Sequence, residues 1–282
     1  MCTTCGCGSD EITIDGATAH GGHEAASSHE HAHAHGVAHG HDHMHDHGDG
    51  HHHHHGDAPT GRTVSLEQDV LAKNQLFAER NRGWFAGREV LAVNLMSAPG
   101  AGKTSILERT IRERRALVPI VVLEGDQATS ADADRIRAAG ALSVVQINTG
   151  TGCHLDAHMV AHGVERLAPP RGGVLLIENV GNLVCPALFD LGETARAVIV
   201  SVTEGEDKPL KYPHMFRSAH LLLINKTDLL PYVRFDMARC IAYAREVNPG
   251  LRVLQVSAET GQGMEDWYDW LSEQHRLVAG NG

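Results

Sequence analysis

From residue 63 onwards, short apolar runs alternate with amphipathic stretches. The apolar runs are rich in Val, Ile and Leu, and each has the length of one buried strand. They predict seven strands, near residues 90–96, 118–123, 143–147, 174–177, 198–202, 221–224 and 253–256. The amphipathic stretches predict helices near residues 104–115, 132–139, 155–167, 236–247 and 264–271. This alternation predicts an α/β fold whose mostly parallel seven-stranded sheet is covered by helices on both faces.

One more helix is predicted ahead of the first strand. Ser65 is a suitable N-cap residue, and Gln68, three residues later, completes a capping box. Apolar residues recur along one side of the following turns. We expect this helix to run to about Arg82 and to end before Gly83, because glycine favours helix ends.

The first 60 residues have a different composition. They hold sixteen of the 22 His and nine acidic residues but no Lys or Arg, so they carry −9 of the net charge of −11. Residues 9–62 have too few large apolar side chains to offset the entropy of ordering the chain. We therefore predict a Cys-rich metal motif at residues 1–8, a disordered His-rich metal-binding tail at 9–62 and a folded domain at 63–282.

Composition also excludes some classes of function. The chain after the tail has a net charge of only about −2, by subtraction, which argues against a nucleic-acid partner. The N-terminus lacks the basic start and apolar run of a secretory signal, and no apolar stretch is long enough to span a membrane. We expect a cytoplasmic protein, in which six Cys indicate metal or redox chemistry rather than disulfides.

The segment Ser97–Thr104 follows the first of the seven strands and begins a helix. It matches the phosphate-binding pattern G-x-x-x-x-G-K-[ST] except that Ser97 replaces the first glycine. Lys103 should reach the β- and γ-phosphates of a nucleotide, and Thr104 should place its hydroxyl on Mg²⁺. The predicted phosphate-binding residues are Gly100, Ala101, Gly102, Lys103, Thr104 and Ser105.

Selectivity for guanine is predicted from a second motif, Asn-Lys-Thr-Asp at residues 225–228, which follows an apolar strand. A carboxylate at Asp228 can accept hydrogen bonds from guanine N1–H and from its exocyclic amine, a donor pair that adenine lacks. Asn225 should hold the loop, and the Lys226 stem should cover the ring. Ser257 and Ala258 supply the expected backbone contact to the base.

A third motif, Glu-Asn-Val-Gly at residues 178–181, stands where common GTPases have D-x-x-G. Glu178 offers a carboxylate near Mg²⁺ or its water, and Gly181 offers an N–H to the γ-phosphate. Asp126 is the other candidate Mg²⁺ partner, although a loop acid can equally cap the next helix. The predicted catalytic residues are Lys103, Thr104, Asp126, Glu178 and Gly181.

Metal ligands are predicted in the Cys-rich motif and along the His-rich tail. Cys2, Cys5 and Cys7 crowd three thiols into six residues, and the His-rich segment offers many interchangeable imidazoles suited to storage. Tetragonal N/S ligation suits Ni²⁺ and tetrahedral sulfur-rich ligation suits Zn²⁺, so the ligands alone do not choose between the two metals.

Within the folded domain, Cys153-His154 is predicted to begin a helix, and Cys185 follows the Glu178–Gly181 motif. If these three side chains meet, metal geometry would be tied to the γ-phosphate through Gly181. His158 and His162 continue the same helix and are read as surface or core histidines.

These motifs together resemble the hydrogenase nickel-incorporation GTPases, the HypB family, over essentially the whole chain. The resemblance is carried by the Cys-rich start, the His-rich stretch, the three nucleotide motifs, Cys153-His154 and residues 203–213. It implies a high-affinity nickel site at Cys2, Cys5 and Cys7, and a second metal site at Cys153, His154 and Cys185 near a dimer interface.

The resemblance further implies a GTPase that uses GTP, GDP and Mg²⁺, dimerises with GTP, and delivers Ni²⁺ to the large subunit of [NiFe] hydrogenase with a partner metallochaperone. Because no glutamine placed to orient water follows Gly181, we expect slow intrinsic turnover. Lys208 and Lys211 would contact nucleotide across the dimer, or else lie in a solvated charged loop. Three other functions stay open: a nickel or zinc storage protein with a regulatory GTP site, a urease-type nickel-chaperone GTPase, and a zinc chaperone.

Overall fold

The computed structural model describes residues 13–15, 17–18, 61–126, 131–150 and 152–280. Contacts divide the chain into one unit formed by Met1–Ala19 with Asp69–Gly282 and a second unit formed by His20–Gln68. Of the second unit the structure describes only the beginning of the first helix, so the fold below is that of the first unit.

Nine strands occur in the described ranges. In chain order they are β1 Thr13–Ile14, β2 Ala17–Thr18, β3 Leu91–Ser97, β4 Ile120–Asp126, β5 Ser143–Asn148, β6 Val174–Glu178, β7 Ala195–Ser201, β8 Leu221–Asn225 and β9 Arg252–Gln255. They form one sheet in the order β2-β1-β5-β4-β6-β3-β7-β8-β9. The seven strands from β5 to β9 in this order are parallel, which confirms the predicted seven-stranded parallel sheet.

Helices cover both faces of the sheet. They are α1 Gly61–Gly87, α2 Lys103–Arg114, α3 Ala131–Ala139, α4 Ala157–Leu167, α5 Lys208–Lys211, α6 Pro213–Arg217, α7 Met237–Val247 and α8 Met264–Ala279. Alternate residues of β3 enter different parts of the core. Leu91, Val93 and Leu95 pack with the buried residues of α2, α3 and α8, whereas Ala92 packs with those of α1 and α4. None of the helices in the described ranges is long and apolar enough to cross a membrane.

The predicted limits of α1 were wrong at both ends. The helix begins at Gly61 and passes through Gly83 to Gly87. An interior glycine costs about 1 kcal/mol of helix stability, but tertiary contacts on both sides of Gly83 hold the helix together. Asn81 donates to the carbonyls of Ala157 and Leu191, and Phe85 is buried in the core.

A short hairpin, β1 and β2, lies within the range for which no structure was predicted. β1 pairs antiparallel with β5 and extends the edge of the parallel sheet. Ile14 is buried, its carbonyl accepts from Arg166, and the carboxylate of Asp15 accepts from the backbone N–H of Gln146. One buried apolar residue and these backbone contacts therefore order a segment whose composition alone does not predict a strand. The last two residues of the predicted tail, 61 and 62, belong to α1, and the rest of it lies outside the described residues.

Candidate nucleotide and metal sites

The predicted phosphate-binding loop connects β3 to α2 at the carboxyl end of the sheet. Gly100 and Gly102 have φ angles of 75° and 97°, which side-chain-bearing residues seldom adopt. Space is limited as well, since a Cβ on Gly102 would lie 2.4 Å from Asn225 Nδ2. The two glycines let the backbone curl in front of the helix N-terminus, an arrangement that suits an anion.

The lysine of this loop is buried inside it. Lys103 Nζ donates a hydrogen bond to Ser97 Oγ at 2.8 Å, and the Ser97 hydroxyl donates to the carbonyl of Ala98 at 2.6 Å. Burial lowers the pKa of Lys103, an effect that the carboxylate of Glu178 partly opposes. Ser97, which replaces the usual glycine, is thus the residue that positions the lysine, and Ser105 lies in the first turn of α2.

Two carboxylates lie side by side beneath the loop. Glu178 ends β6 and accepts from Thr104 Oγ1 at 2.7 Å, and its register partner on β4 is Glu124. Burial raises the pKa of Glu178 to about 7 and, together with the neighbouring Glu178, that of Glu124 to about 8. One oxygen of each carboxylate is buried without a hydrogen-bond partner, and Asp126 ends β4 two residues after Glu124. Oxygen donors of this kind are the ligands that Mg²⁺ takes in proteins.

The base-recognition motif touches the phosphate loop directly. Asn225 Nδ2 donates to the carbonyl of Ala101 at 3.0 Å, and Lys226 Nζ donates to that of Gly100 at 2.8 Å. Asn225 Oδ1 accepts from the backbone N–H of Ala258 at 3.2 Å. The same asparagine therefore joins three loops, those after β3, β8 and β9.

The carboxylate of the motif has a fixed orientation. Asp228 Oδ1 accepts from Ser257 Oγ at 2.5 Å. Arg109, in the second turn of α2, donates to the carbonyls of Ala258 and Glu259, each at 3.0 Å. A single helix thus begins at the phosphate loop and holds the loop after β9 in place.

The loop after β6 packs against the phosphate loop. A Cβ on Gly181 would lie 3.1 Å from both Cα and Cγ of Pro99, so only a glycine fits without a shift of the neighbouring backbone. The predicted γ-phosphate contact is therefore adjacent to the phosphate loop.

Three potential metal ligands meet next to this loop. Ligand atoms of Cys153, His154 and Cys185 lie within 4.8 Å of one another, with 2.9 Å between the two sulfur atoms. Burial lowers the pKa of His154, an effect opposed by Asp156, and its ring stacks on Phe189. Two thiols and an imidazole form a soft donor set suited to Ni²⁺ or Zn²⁺.

We predicted that Cys153-His154 begins a helix, but the pair lies in the loop before α4. The helix starts at Ala157 because Asp156 caps it, accepting from the backbone N–H of Met159 at 2.7 Å. The two ligands therefore lie in a loop, where they can face Cys185 in a 3₁₀ turn, Cys185–Ala187.

Two further histidines lie on α4. Nε2 of His158 and Nε2 of His162 are 3.1 Å apart, as expected for residues four apart on a helix. His162 also lies 3.6 Å from the carboxylate of Glu165. Neither belongs to the group of three ligands.

The two lysines of the predicted charged loop lie on α5. Lys208 pairs with Glu204 at 3.1 Å, and Lys211 pairs with Asp207 at 2.7 Å. Each pair joins residues four apart in the chain, and both acids precede α5, so each is a local contact between the loop and the helix that follows it. Cys2, Cys5, Cys7 and the His-rich tract lie outside the described residues.

Sequence reasoning missed three residues of these sites: Glu124, Asn179 and Arg109. Glu124 left a usable signal, because an acid within an apolar strand is seldom buried without a purpose. Asn179 accepts hydrogen bonds from the backbone N–H groups of Leu155 and Val180, and Arg109 bonds to carbonyls of the loop after β9. The bond from Leu155 to Asn179 and the bond from Arg109 could not be found from the sequence, because each joins segments distant along the chain.

The parallel sheet, the phosphate loop after its central strand and the base-recognition loop touching it define a P-loop domain of the GTPase type. Comparison with known proteins agrees. Residues 91–255 match the family model described as CobW/HypB/UreG, nucleotide-binding domain.

Full-length relatives narrow the assignment. The chain is 49% identical to the hydrogenase maturation factor HypB of Escherichia coli K12, with 97% of this chain and 99% of that protein covered. It is 51% identical to that of Azotobacter vinelandii, with 97% and 92% covered. The chain therefore belongs to the HypB family of hydrogenase maturation factors.

Solved structures show the same fold. The crystal structure of HypB from Archaeoglobus fulgidus has a TM-score of 0.68 at 43% identity, covering 72% of this chain and 99% of that chain. The structure of HypB from Helicobacter pylori in complex with nickel has a TM-score of 0.69 at 35% identity, covering 73% and 96%.

Proposed function

We propose that this chain is a GTP-hydrolysing nickel metallochaperone that delivers Ni²⁺ during maturation of [NiFe] hydrogenase. One observation carries the proposal: the ligands Cys153, His154 and Cys185 lie together beside the loop that packs on the phosphate loop. Cys185 is only four residues beyond Gly181. A change in that loop on nucleotide binding would move one ligand relative to the other two.

The nucleotide would be held as follows. Backbone N–H groups at Gly100–Ser105 surround the phosphates, and Lys103 turns from Ser97 to the β- and γ-phosphates. Asp228 accepts from guanine while Ser257 holds its carboxylate. Thr104, Asp126 and Glu178 would hold Mg²⁺, which supplies positive charge next to the phosphates when bound.

The chain's own groups account for a slow reaction. Lys103 and Gly181 would stabilise charge on the γ-phosphate oxygens while the γ-phosphoryl group is transferred to water. The motif after β6 contains no glutamine to orient that water, unlike a fast GTPase. GTP therefore acts mainly as a switch that favours one loop conformation, and hydrolysis resets it.

Nickel would bind at two places. Cys2, Cys5 and Cys7 form the high-affinity site. Cys153, His154 and Cys185, which we call the triad, form a second site that responds to nucleotide. Two metal–sulfur bonds of about 2.3 Å at a tetrahedral angle separate the sulfurs by about 3.8 Å. The present 2.9 Å therefore requires the loops of Cys153 and Cys185 to part by roughly 1 Å.

A GTP-dependent homodimer is also proposed, with the triad near its interface. Val184 and Leu188 flank the partly exposed Cys185 and are themselves 55% and 54% exposed, so this surface offers apolar area to a second copy of the chain. Lys208 and Lys211 would act across the dimer only by leaving their present carboxylate partners. A partner metallochaperone and the hydrogenase large subunit would receive the metal.

Zinc handling is the second candidate, because two thiols and an imidazole suit Zn²⁺ equally well. Storage is then the expected role of the His-rich tract. A urease client is supported by the name of one relative, the hydrogenase/urease maturation factor HypB of Helicobacter pylori, which is 35% identical.

Nickel release during GTP turnover tests the proposal. The full-length protein is loaded with Ni²⁺ and mixed with a chromogenic chelator and either GTP or a non-hydrolysable analogue. A chaperone should release nickel faster while it hydrolyses GTP, and Lys103→Ala should abolish both hydrolysis and the acceleration. Equal release with and without turnover would contradict the proposal and favour storage; the same experiment with Zn²⁺ distinguishes the two metals.

A further inference from the structure

Asn179 connects the nucleotide side of the protein to the triad. Its side chain is 1% exposed and follows Glu178 at the end of β6. Its single amide oxygen accepts from two backbone N–H groups, that of Val180 at 3.0 Å and that of Leu155 at 3.1 Å. Val180 precedes Gly181, which packs on the phosphate loop, and Leu155 follows the ligand His154.

The amide of Asn179 is held in one orientation. Its Nδ2 donates to Asn94 Oδ1 at 3.2 Å, and Asn94 Nδ2 donates to Glu193 Oε1 at 3.1 Å. Glu193 is fixed in turn by Arg196 Nε at 2.6 Å and by the backbone N–H of Leu191 at 2.7 Å. These buried bonds keep the amide oxygen pointed at its two donors, so the oxygen cannot follow one donor without weakening its bond to the other.

The segment bonded to Asn179 has little room to absorb a movement. Leu155 is fully buried, and its side chain packs so closely on Gly125 that a Cβ there would lie 2.7 Å from Leu155 Cγ. Gly125 adjoins Asp126 at the end of β4. The Cys153-His154 segment is thus pinned between two strand ends that face the nucleotide.

We propose that Asn179 is the positioning residue that couples the nucleotide state to the geometry of the triad. The loop after β6 controls Cys185 through the continuous chain, and controls Cys153 and His154 through the Asn179 oxygen. When Val180 and Gly181 move towards a γ-phosphate, the shared oxygen transmits the change to Leu155. Coupling of this kind requires a contiguous set of contacts with two arrangements. This inference rests on the proposed function, since it presumes that nucleotide changes metal affinity.

The test measures nickel affinity of the triad with GDP and with a non-hydrolysable GTP analogue. Full-length protein with Cys2, Cys5 and Cys7 changed to Ser serves as the reference. Thiolate-to-nickel absorption then reports the triad and not the histidine tract, and a competing chelator fixes the Ni²⁺ concentration. We expect the reference to change affinity by roughly 5- to 150-fold between the two nucleotides, and Asn179→Ala to reduce the ratio to about one.

Asn81→Ala is the matched control. Asn81 is also buried and makes two hydrogen bonds to backbone carbonyls, one at the start of α4 and one at Leu191, and neither bond involves Val180 or Gly181. Its loss should lower stability and leave the affinity ratio unchanged. A reference without nucleotide dependence would refute the proposed function itself. If the reference and Asn179→Ala showed the same change in nickel affinity between the two nucleotides, only the role of Asn179 would be overturned.

Amide hydrogen exchange tests the same inference without any substitution in the relay. The Leu155 N–H should exchange at different rates with GDP and with the GTP analogue. The Ala157 N–H, bonded to Asn74 Oδ1 at 2.8 Å, should not change. Equal exchange of Leu155 in both states would overturn the relay even if Asn179→Ala failed to fold.

Discussion

The nucleotide site and the triad lie next to each other but are built from different kinds of side chain. Beneath the phosphate loop the protein buries a lysine and two carboxylates, Lys103, Glu124 and Glu178, whose pKa values are shifted by burial. The triad instead combines the buried imidazole of His154 with two partly exposed thiols. The difference teaches that the two sites rest on different interactions. Burial of ionisable groups makes the nucleotide site costly to form and sensitive to pH, whereas the metal site depends on whether its loops bring the three ligands together.

Removing the buried lysine should have the largest effect. Lys103→Ala should lower the turnover of GTP by about 10²- to 10³-fold, because one positioned donor to the transferring group contributes on that order. Steady-state phosphate release measures it. The exposed Lys73→Ala on α1 is the control, and retained turnover in Lys103→Ala would place the phosphates elsewhere.

The pH dependence of stability tests how much the burial of an ionised carboxylate destabilises the fold. Burial raises the pKa of Glu124 from its ordinary value of 4.5 to about 8, so the folded protein holds this proton more tightly than the unfolded chain. Stability without nucleotide should therefore fall as pH rises from about 5 to about 8. Glu124→Gln, a neutral isostere, should remove roughly 2–4 kcal/mol of that loss, at about 1.4 kcal/mol per pKa unit.

Urea unfolding at both pH values measures this difference. The exposed Glu273→Gln on α8 is the matched control, since Glu273 lies in an ion pair with Arg252 at the surface. If the stability of Glu124→Gln declined with pH as steeply as that of the unchanged protein, ionisation of Glu124 would not be the cause of the decline.

Changing the base-recognition carboxylate should have the next largest effect. Asp228→Asn replaces an acceptor by a donor opposite guanine, and should weaken GDP by roughly 10- to 150-fold, the value of a charged hydrogen bond of about 1.5–3 kcal/mol. Xanthine nucleotides should bind better, since their edge accepts at that position. Fluorescent-nucleotide titration measures both. Asp236→Asn, which keeps its N-cap oxygen on α7, should change neither.

Loss of a triad ligand should give the smallest of these changes. Cys185→Ser should weaken nickel at the triad by about 10- to 100-fold, the range that even outer-shell losses produce, and should leave GDP affinity unaltered. Thiolate-to-nickel absorption in protein lacking the three N-terminal cysteines measures it. Cys240→Ala is the control, because Cys240 is buried in the core and its thiol pKa is raised to about 12. Equal weakening in both variants would mean that packing is responsible.

Much of the nucleotide site was predictable because its residues are contiguous. Each motif combines an apolar strand with polar residues directly after it, and the parallel sheet brings all such ends to one edge. The limits of α1 and α4 were less predictable. Contacts of Asn81 with distant carbonyls carry α1 past Gly83, and capping by Asp156 excludes Cys153-His154 from α4.

The sequence by itself determined the order of strands and helices, the glycines of the phosphate loop and the candidate base-recognition motif, because local pattern and residue chemistry suffice for each. Only the tertiary structure decided that Glu124 lies beside Glu178, that Cys153 and His154 meet Cys185, and that one amide oxygen of Asn179 joins their segment to the nucleotide loop. Those relations depend on strand register and on contacts between segments far apart in the chain, which no local pattern records.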